Sequence, residues 1–181
     1  MLPIRDNHPV KRLFTGLVEH AFQTELGICD PALADYVSDL LIDFVRIDEM
    51  VIAREAVGKP VTEIAEMIAN FESDRMAVDA TRDPYVHRRI GDYTLFWTGV
   101  YPEGVGRSRS ATWSDRVSEY VSFGKRSYAI ASELTPPDVD PPPRLLRRLS
   151  EDFETCACGL GIVRHNLDHQ RTDGDPGDLI Y

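Results

Sequence analysis

This sequence lacks most of the features that mark specialised classes of protein. It has only three cysteines, an odd number. Its longest apolar run lies within residues 91–103 and is far shorter than the roughly 20 residues that a membrane-spanning helix needs. The first residues contain no apolar segment typical of a secretory signal. These absences predict a cytoplasmic protein with free thiols and no membrane contact.

Known catalytic motifs and an excess of basic charge are also missing. The chain contains no GxGxxG, Walker A, HExxH, GxSxG or EF-hand pattern, which disfavours the dehydrogenases, kinases and hydrolases that carry them and predicts no cofactor. It has 20 Lys and Arg against 30 Asp and Glu, for a net charge of -10. Such a surface repels nucleic acid, so no nucleic-acid partner is expected.

The composition is that of one globular domain. The chain has 181 residues, of which 43% are hydrophobic and 28% charged, enough to build a core without disulfide or metal staples. Residues 166–181 are polar and contain glycine and proline. We therefore expect one helical domain over residues 1–165 and an extended or loose C-terminal tail over residues 166–181.

Apolar residues recur at helical spacing along most of the chain, and no stretch alternates as a strand does. Asp30-Pro31 and Asp83-Pro84 each pair a capping side chain with a proline suited to the first turn. Gly27 is placed to end the first helix in a left-handed conformation, and residues 103–112 are expected to form a polar loop. The pattern predicts an all-α, single-domain bundle of about six helices: 10–26, 31–46, 61–75, 84–100, 113–134 and a sixth capped by Asp140, with a short helical piece over 48–56.

The central stretch 91–103 combines the most apolar sequence with two carboxylates, Asp92 and Glu103. Helical geometry separates these acids by about 16 Å, too far for paired acid/base chemistry. Asp92 must be paired or protonated if it is buried. Arg88 and Arg89, one turn earlier, are candidates for an intrahelical ion pair. The alternative is that Asp92 faces a cavity and binds a ligand.

The same region resembles a group of uncharacterised all-helical bacterial proteins. The resemblance lies in Gly91-Asp92, Leu95-Phe96, the Gly-Val-Tyr-Pro-Glu run of 99–103, and the later Tyr120, Gly124 and Ser127-Tyr128, with the earlier helix containing Tyr36 and Phe44. It covers roughly the middle third of the chain. It implies a helical fold, and it implies no activity, cofactor or catalytic residue.

Two sets of residues are candidate sites. Asp92, Tyr101, Tyr120 and Tyr128 would line a ligand pocket between the predicted fourth and fifth helices, because buried tyrosine hydroxyls need polar partners. The residues Cys156, Cys158, His165 and His169 have the chemistry of zinc ligands but not their spacing. Only a reversal of the chain at Gly159 and Gly161 would bring them together.

Three functions follow from these patterns. Complete helical patterning without a catalytic signature favours a non-catalytic protein that acts through a protein partner or by self-association. The first alternative is a small-ligand-binding or enzymatic bundle with the Asp92 pocket. The second is a metal site formed by the C-terminal cysteines and histidines.

Overall fold

The fold is all-α, as predicted. A computed structural model describes residues 9–45, 63, 64, 66, 82–105 and 113–173. Within these ranges there is no strand, and the chain forms seven α-helices. They are α1 (Pro9–Glu19, continued by a π-helical turn over His20–Glu25), α2 (Pro31–Val45), α3 (Pro84–Val100), α4 (Pro102–Val105), α5 (Trp113–Leu134), α6 (Pro143–Glu151) and α7 (Phe153–Asp173).

Capping residues confirm three predicted helix boundaries: the end of the first helical segment and the starts of α2 and α3. Gly27 has a φ of 69°, the left-handed conformation that ends the first helical segment. The Asp30 carboxylate accepts a hydrogen bond from the Leu33 backbone at 3.2 Å. The Asp83 carboxylate accepts one from the Tyr85 backbone at 2.8 Å. Each aspartate satisfies a backbone N–H that the first turn leaves unpaired.

The second half of the chain departs from the predictions at residues 102–105 and at Asp140. Residues 102–105 form the short helix α4, whereas a loop was predicted to begin at 103; Pro102 has the fixed φ that suits a first helical turn. Asp140 does not cap the next helix. The N-cap is Pro142, which is extended, and its carbonyl accepts the first helical bond, from Leu145 at 2.9 Å.

The predicted sixth helix is two helices, and it continues beyond its predicted end. Asp152 leaves the helical region (φ −99°, ψ 23°), which separates α6 from α7. Helix α7 then runs without interruption to Asp173. Residues 166–173 are therefore helical rather than part of a loose tail, and residues 174–181 of the predicted tail lie outside the described residues. The predicted helical piece 48–56 lies outside the described residues, as does most of the predicted helix 61–75.

Helix α3 is the central element, with most of its length buried between α5 and α7. Gly99 makes the contact with α7 possible: a Cβ there would lie 2.9 Å from the Ala157 carbonyl oxygen and 2.6 Å from the Leu160 side chain. The core around α3 includes the fully buried Leu95, Phe153 and Leu160. Among the described residues, no helix is both long and apolar enough to cross a membrane.

Candidate functional site

Asp92 is a buried carboxylate that joins three helices. Its side chain on α3 is 5% exposed. Oδ1 accepts hydrogen bonds from the hydroxyls of Tyr36 on α2, at 2.6 Å, and Tyr128 on α5, at 2.8 Å. Oδ2 lies 3.6 Å from Nη1 of Arg89, one turn earlier on α3. We call these four residues the Asp92 hub; they give the buried charge the partners that it requires.

The hub settles which arginine pairs with Asp92. The sequence left Arg88 and Arg89 as equal candidates, and Arg89 forms the ion pair. Arg89 is 8% exposed, and its guanidinium also lies 5.9 Å from the ring centroid of Phe44. The guanidinium of Arg88 instead lies over the Tyr85 ring, 4.8 Å from its centroid.

The two tyrosines of the hub are held as neutral hydrogen-bond donors. Burial, and after it the negative charge of Asp92, raise the pKa of Tyr128 well above its ordinary value of 10. The same two causes raise the pKa of Tyr36. A phenol in this setting donates a hydrogen bond and does not act as a base. Each hydroxyl therefore serves as a hydrogen-bond donor that holds the Asp92 carboxylate in place.

The position of Tyr128 depends on a glycine. A Cβ at Gly91 would lie 2.8 Å from two atoms of the Tyr128 ring, closer than real contacts allow. The absence of a side chain at residue 91 thus admits the ring beside α3 and brings its hydroxyl to Asp92, the next residue along. Gly91 and Asp92 thus both contribute to the contact where α3 crosses α5: Gly91 makes room for the Tyr128 ring, and Asp92 accepts its hydrogen bond.

The hub borders a cleft of about 1040 Å³ between α2, α3 and α6, which we call the charged cleft. Tyr36, Arg89 and Asp92 form part of its wall. Among the described residues that line it are six aspartates and four arginines, a formal charge of -2. They are Asp30, Asp35, Asp39, Asp43, Asp92 and Asp140, with Arg88, Arg89, Arg144 and Arg148.

The charges of the cleft are arranged by helix. Asp35, Asp39 and Asp43 are four residues apart on α2, so they form one acidic stripe. The arginines come from α3 and α6. The α2 side of the cleft is thus acidic, and the α3 and α6 side carries all of its cations.

The structure brings together only half of the predicted site. Asp92 and Tyr128 meet, whereas Tyr101 is 42% exposed and lies against the Arg164 guanidinium, 4.8 Å from its ring centroid. Tyr120 is buried elsewhere, and its pKa is raised by burial and lowered to a smaller extent by the charge of Arg116. Neither Tyr101 nor Tyr120 lines the charged cleft, which lies between α2, α3 and α6 rather than between the predicted fourth and fifth helices.

The sequence analysis missed Tyr36 as a member of the site. The available signal was its position on the apolar stripe of α2, between Leu33 and Leu40, where a hydroxyl needs a polar partner. Nothing in the sequence shows that this partner lies 56 residues further on. The arginines of α6 were missed for the same reason.

The metal site is not formed. It required the chain to fold back at Gly159 and Gly161, but α7 is continuous through both residues. Cys156 is buried and Cys158 exposed. In the described ranges, no three His, Cys, Asp or Glu side chains lie close enough to hold a metal ion.

Comparison with protein-family models, with curated proteins and with solved structures finds no match to this chain. The resemblance of its central region to uncharacterised helical proteins stays a prediction.

Proposed function

We propose that the protein binds a small polar molecule in the charged cleft, and that the Asp92 hub is the rigid wall of that site. The observation that carries the proposal is the guanidinium of Arg88, which lines the cleft. Among the described residues it has no carboxylate within ion-pair distance, and its Nε has no hydrogen-bond partner. An arginine without a partner in the protein keeps its terminal N–H donors available to a polar ligand.

The size and construction of the cleft support the same function. Its volume of about 1040 Å³ is at the upper end of the range for small-molecule sites. The hub ties α2, α3 and α5 through short hydrogen bonds, so this wall is preformed. Preformed polar groups reduce the ordering that binding would otherwise require. We propose binding and no chemical reaction, because the hub tyrosines stay protonated and the carboxylate is fully engaged.

Self-association or binding of a protein partner, the first expectation from the sequence, stays a prediction. Its expected signature is a large exposed apolar patch. The exposed large apolar side chains of the described residues lie on several different elements: Leu13, Tyr85, Tyr101, Leu134 and Val139. No specific observation favours this function over ligand binding.

A thermal-shift screen tests the proposal with a variant that obstructs the cleft. Ala32 is exposed, lies in the first turn of α2 and lines the cleft, so Ala32→Trp places a large side chain in the space that a ligand would occupy. The matched control is Ser122→Trp, at an exposed position on α5 that does not line the cleft. The panel contains amino acids, carboxylic acids, sugars, nucleosides and polyamines.

We expect at least one class of compound to stabilise the wild type. A ligand at about 100 times its Kd adds roughly 2.7 kcal/mol, or about 5–11 °C in Tm for a chain of this size. Ala32→Trp should lose this shift, and Ser122→Trp should keep it. A panel without effect, or a shift that Ala32→Trp retains, would contradict the proposal.

A further inference from the structure

We infer that the molecule bound in the charged cleft is a small zwitterion, whose carboxylate binds Arg88 and Arg144 and whose ammonium group faces Asp35. This inference rests on the proposed function and names the chemistry of its ligand. It follows from which charges of the cleft are already paired and which are not.

Five of the ten charged groups that line the cleft have the following partners within the protein. Asp92 and Arg89 are paired in the hub, and Arg148 pairs with Asp152. Asp39 lies 3.2 Å from the Lys11 ammonium of α1. Asp30 caps α2. Each of these groups therefore already has a partner within the protein.

Two arginines retain their capacity to bind an oxyanion. They are Arg88 on α3 and Arg144 on α6, which line the same cleft. Among the described residues, neither has a carboxylate within ion-pair distance. The Tyr85 ring supports the guanidinium plane of Arg88 on one face. An arginine offers a planar fork of N–H donors that matches a carboxylate with two parallel hydrogen bonds.

The aspartates of the cleft decide between a zwitterion and a simple anion. The lining carries six aspartates against four arginines, so a nucleotide or another polyanion would be repelled. Asp35 lies on the acidic stripe of α2, is exposed, and has no hydrogen bond or ion pair with other described residues. A positive group on the ligand would therefore find an available carboxylate on the α2 side. Amino acids and their close relatives carry both charges within one small molecule.

Isothermal titration of the standard L-amino acids into the full chain tests this inference. For any amino acid that binds, the matched probes are its carboxamide, which lacks the carboxylate, and its N-acetyl derivative, which lacks the ammonium group. Each probe should bind at least about tenfold more weakly than the parent, because each loses a charge-assisted contact.

Protein variants locate the two contacts. Arg88→Lys keeps the charge and removes the Nε and the fork, so Kd should rise about tenfold or more. Asp35→Asn should weaken the binding of the parent amino acid and leave the binding of its N-acetyl derivative unchanged. Arg147→Lys is the control, because Arg147 is an exposed arginine of α6 that does not line the cleft; its Kd should stay within about twofold of the wild type. The probes need only the wild-type protein, so a variant that fails to fold leaves the test intact.

The inference is overturned if no amino acid binds, if the carboxamide binds as tightly as its parent, or if folded Arg88→Lys binds like the wild type. Should another class of compound in the thermal-shift panel bind while every amino acid fails, the proposed function stands and the zwitterion is rejected. If nothing binds in either experiment, both are rejected.

Discussion

Removal of one hydroxyl from the hub tests its contribution to stability directly. Tyr128 is fully buried, and its hydroxyl donates to Asp92 at 2.8 Å. Tyr128→Phe keeps the ring against Phe153 and removes only this bond. A hydrogen bond to a charged acceptor contributes about 1.5–3 kcal/mol. Because Asp92 retains Tyr36 and Arg89, we expect a loss of roughly 2 kcal/mol, or about 4–8 °C in Tm.

Urea denaturation followed by far-UV circular dichroism measures this loss. Tyr101→Phe is the control, because Tyr101 is half-exposed and lies outside the hub; it should stay within about 0.5 kcal/mol of the wild type. In an Asp92→Asn background, the bond is between neutral groups and contributes about 0.5–1.5 kcal/mol. Tyr128→Phe should then cost about 1 kcal/mol less than in the wild type. A Tyr128→Phe protein as stable as Tyr101→Phe would refute the role given to the hub.

Three further predictions concern the packing and ionisation of the same region. Gly91→Ala places a Cβ 2.8 Å from the Tyr128 ring and should lower the free energy of unfolding by about 1–3 kcal/mol. The control Gly16→Ala has nothing within 4 Å of its new Cβ and should raise the free energy of unfolding by up to about 1 kcal/mol. Equal effects of the two substitutions in urea denaturation would contradict this prediction. Burial and the charge of Asp92 raise the pKa values of Tyr36 and Tyr128 in the folded state. The two hydroxyls therefore contribute fully to stability below about pH 10, and their contribution falls as the pH rises above that value. A urea midpoint that falls with pH as steeply in Tyr128→Phe as in the wild type would contradict this prediction. Burial raises the pKa of Cys156 to about 12, so intact mass spectrometry after iodoacetamide treatment at about pH 8 should find two of the three cysteines modified in the folded protein, and three modified would show that Cys156 is accessible.

Sequence reasoning located most of the helices because their signals are local. Asp30-Pro31 and Asp83-Pro84 each place a cap and a restricted φ at adjacent positions, and the helices begin there. The start of α6 was not located in this way. Asp140 has the chemistry of a cap, but Pro141 and Pro142 separate it from Pro143, where the helix begins.

The site was only half predictable because its contacts are long-range. That Asp92 is buried and needs a partner follows from its position in an apolar helix, and Arg89 is available within one turn. Tyr36 and Tyr128 lie 56 and 36 residues away from Asp92. Their selection over Tyr101 and Tyr120 depends on how α2 and α5 cross α3, which helical periodicity does not determine.

The charged cleft was not predicted at all. Its lining comes from α2, α3 and α6, and the α6 residues Arg144 and Arg148 belong to a helix whose start was placed incorrectly. In sequence these arginines resemble an ordinary solvated helix face. Only their position opposite the acidic stripe of α2 distinguishes them.

Native mass spectrometry after equilibration with a low-molecular-weight cell extract tests the central claim most directly. The wild type and Ser122→Trp should each carry an added small-molecule mass, which is lost on denaturation. Ala32→Trp, with its cleft obstructed, should appear at the mass of the bare chain. An added mass on Ala32→Trp equal to that of the wild type, or none on any of the three proteins, would contradict a ligand site in the charged cleft.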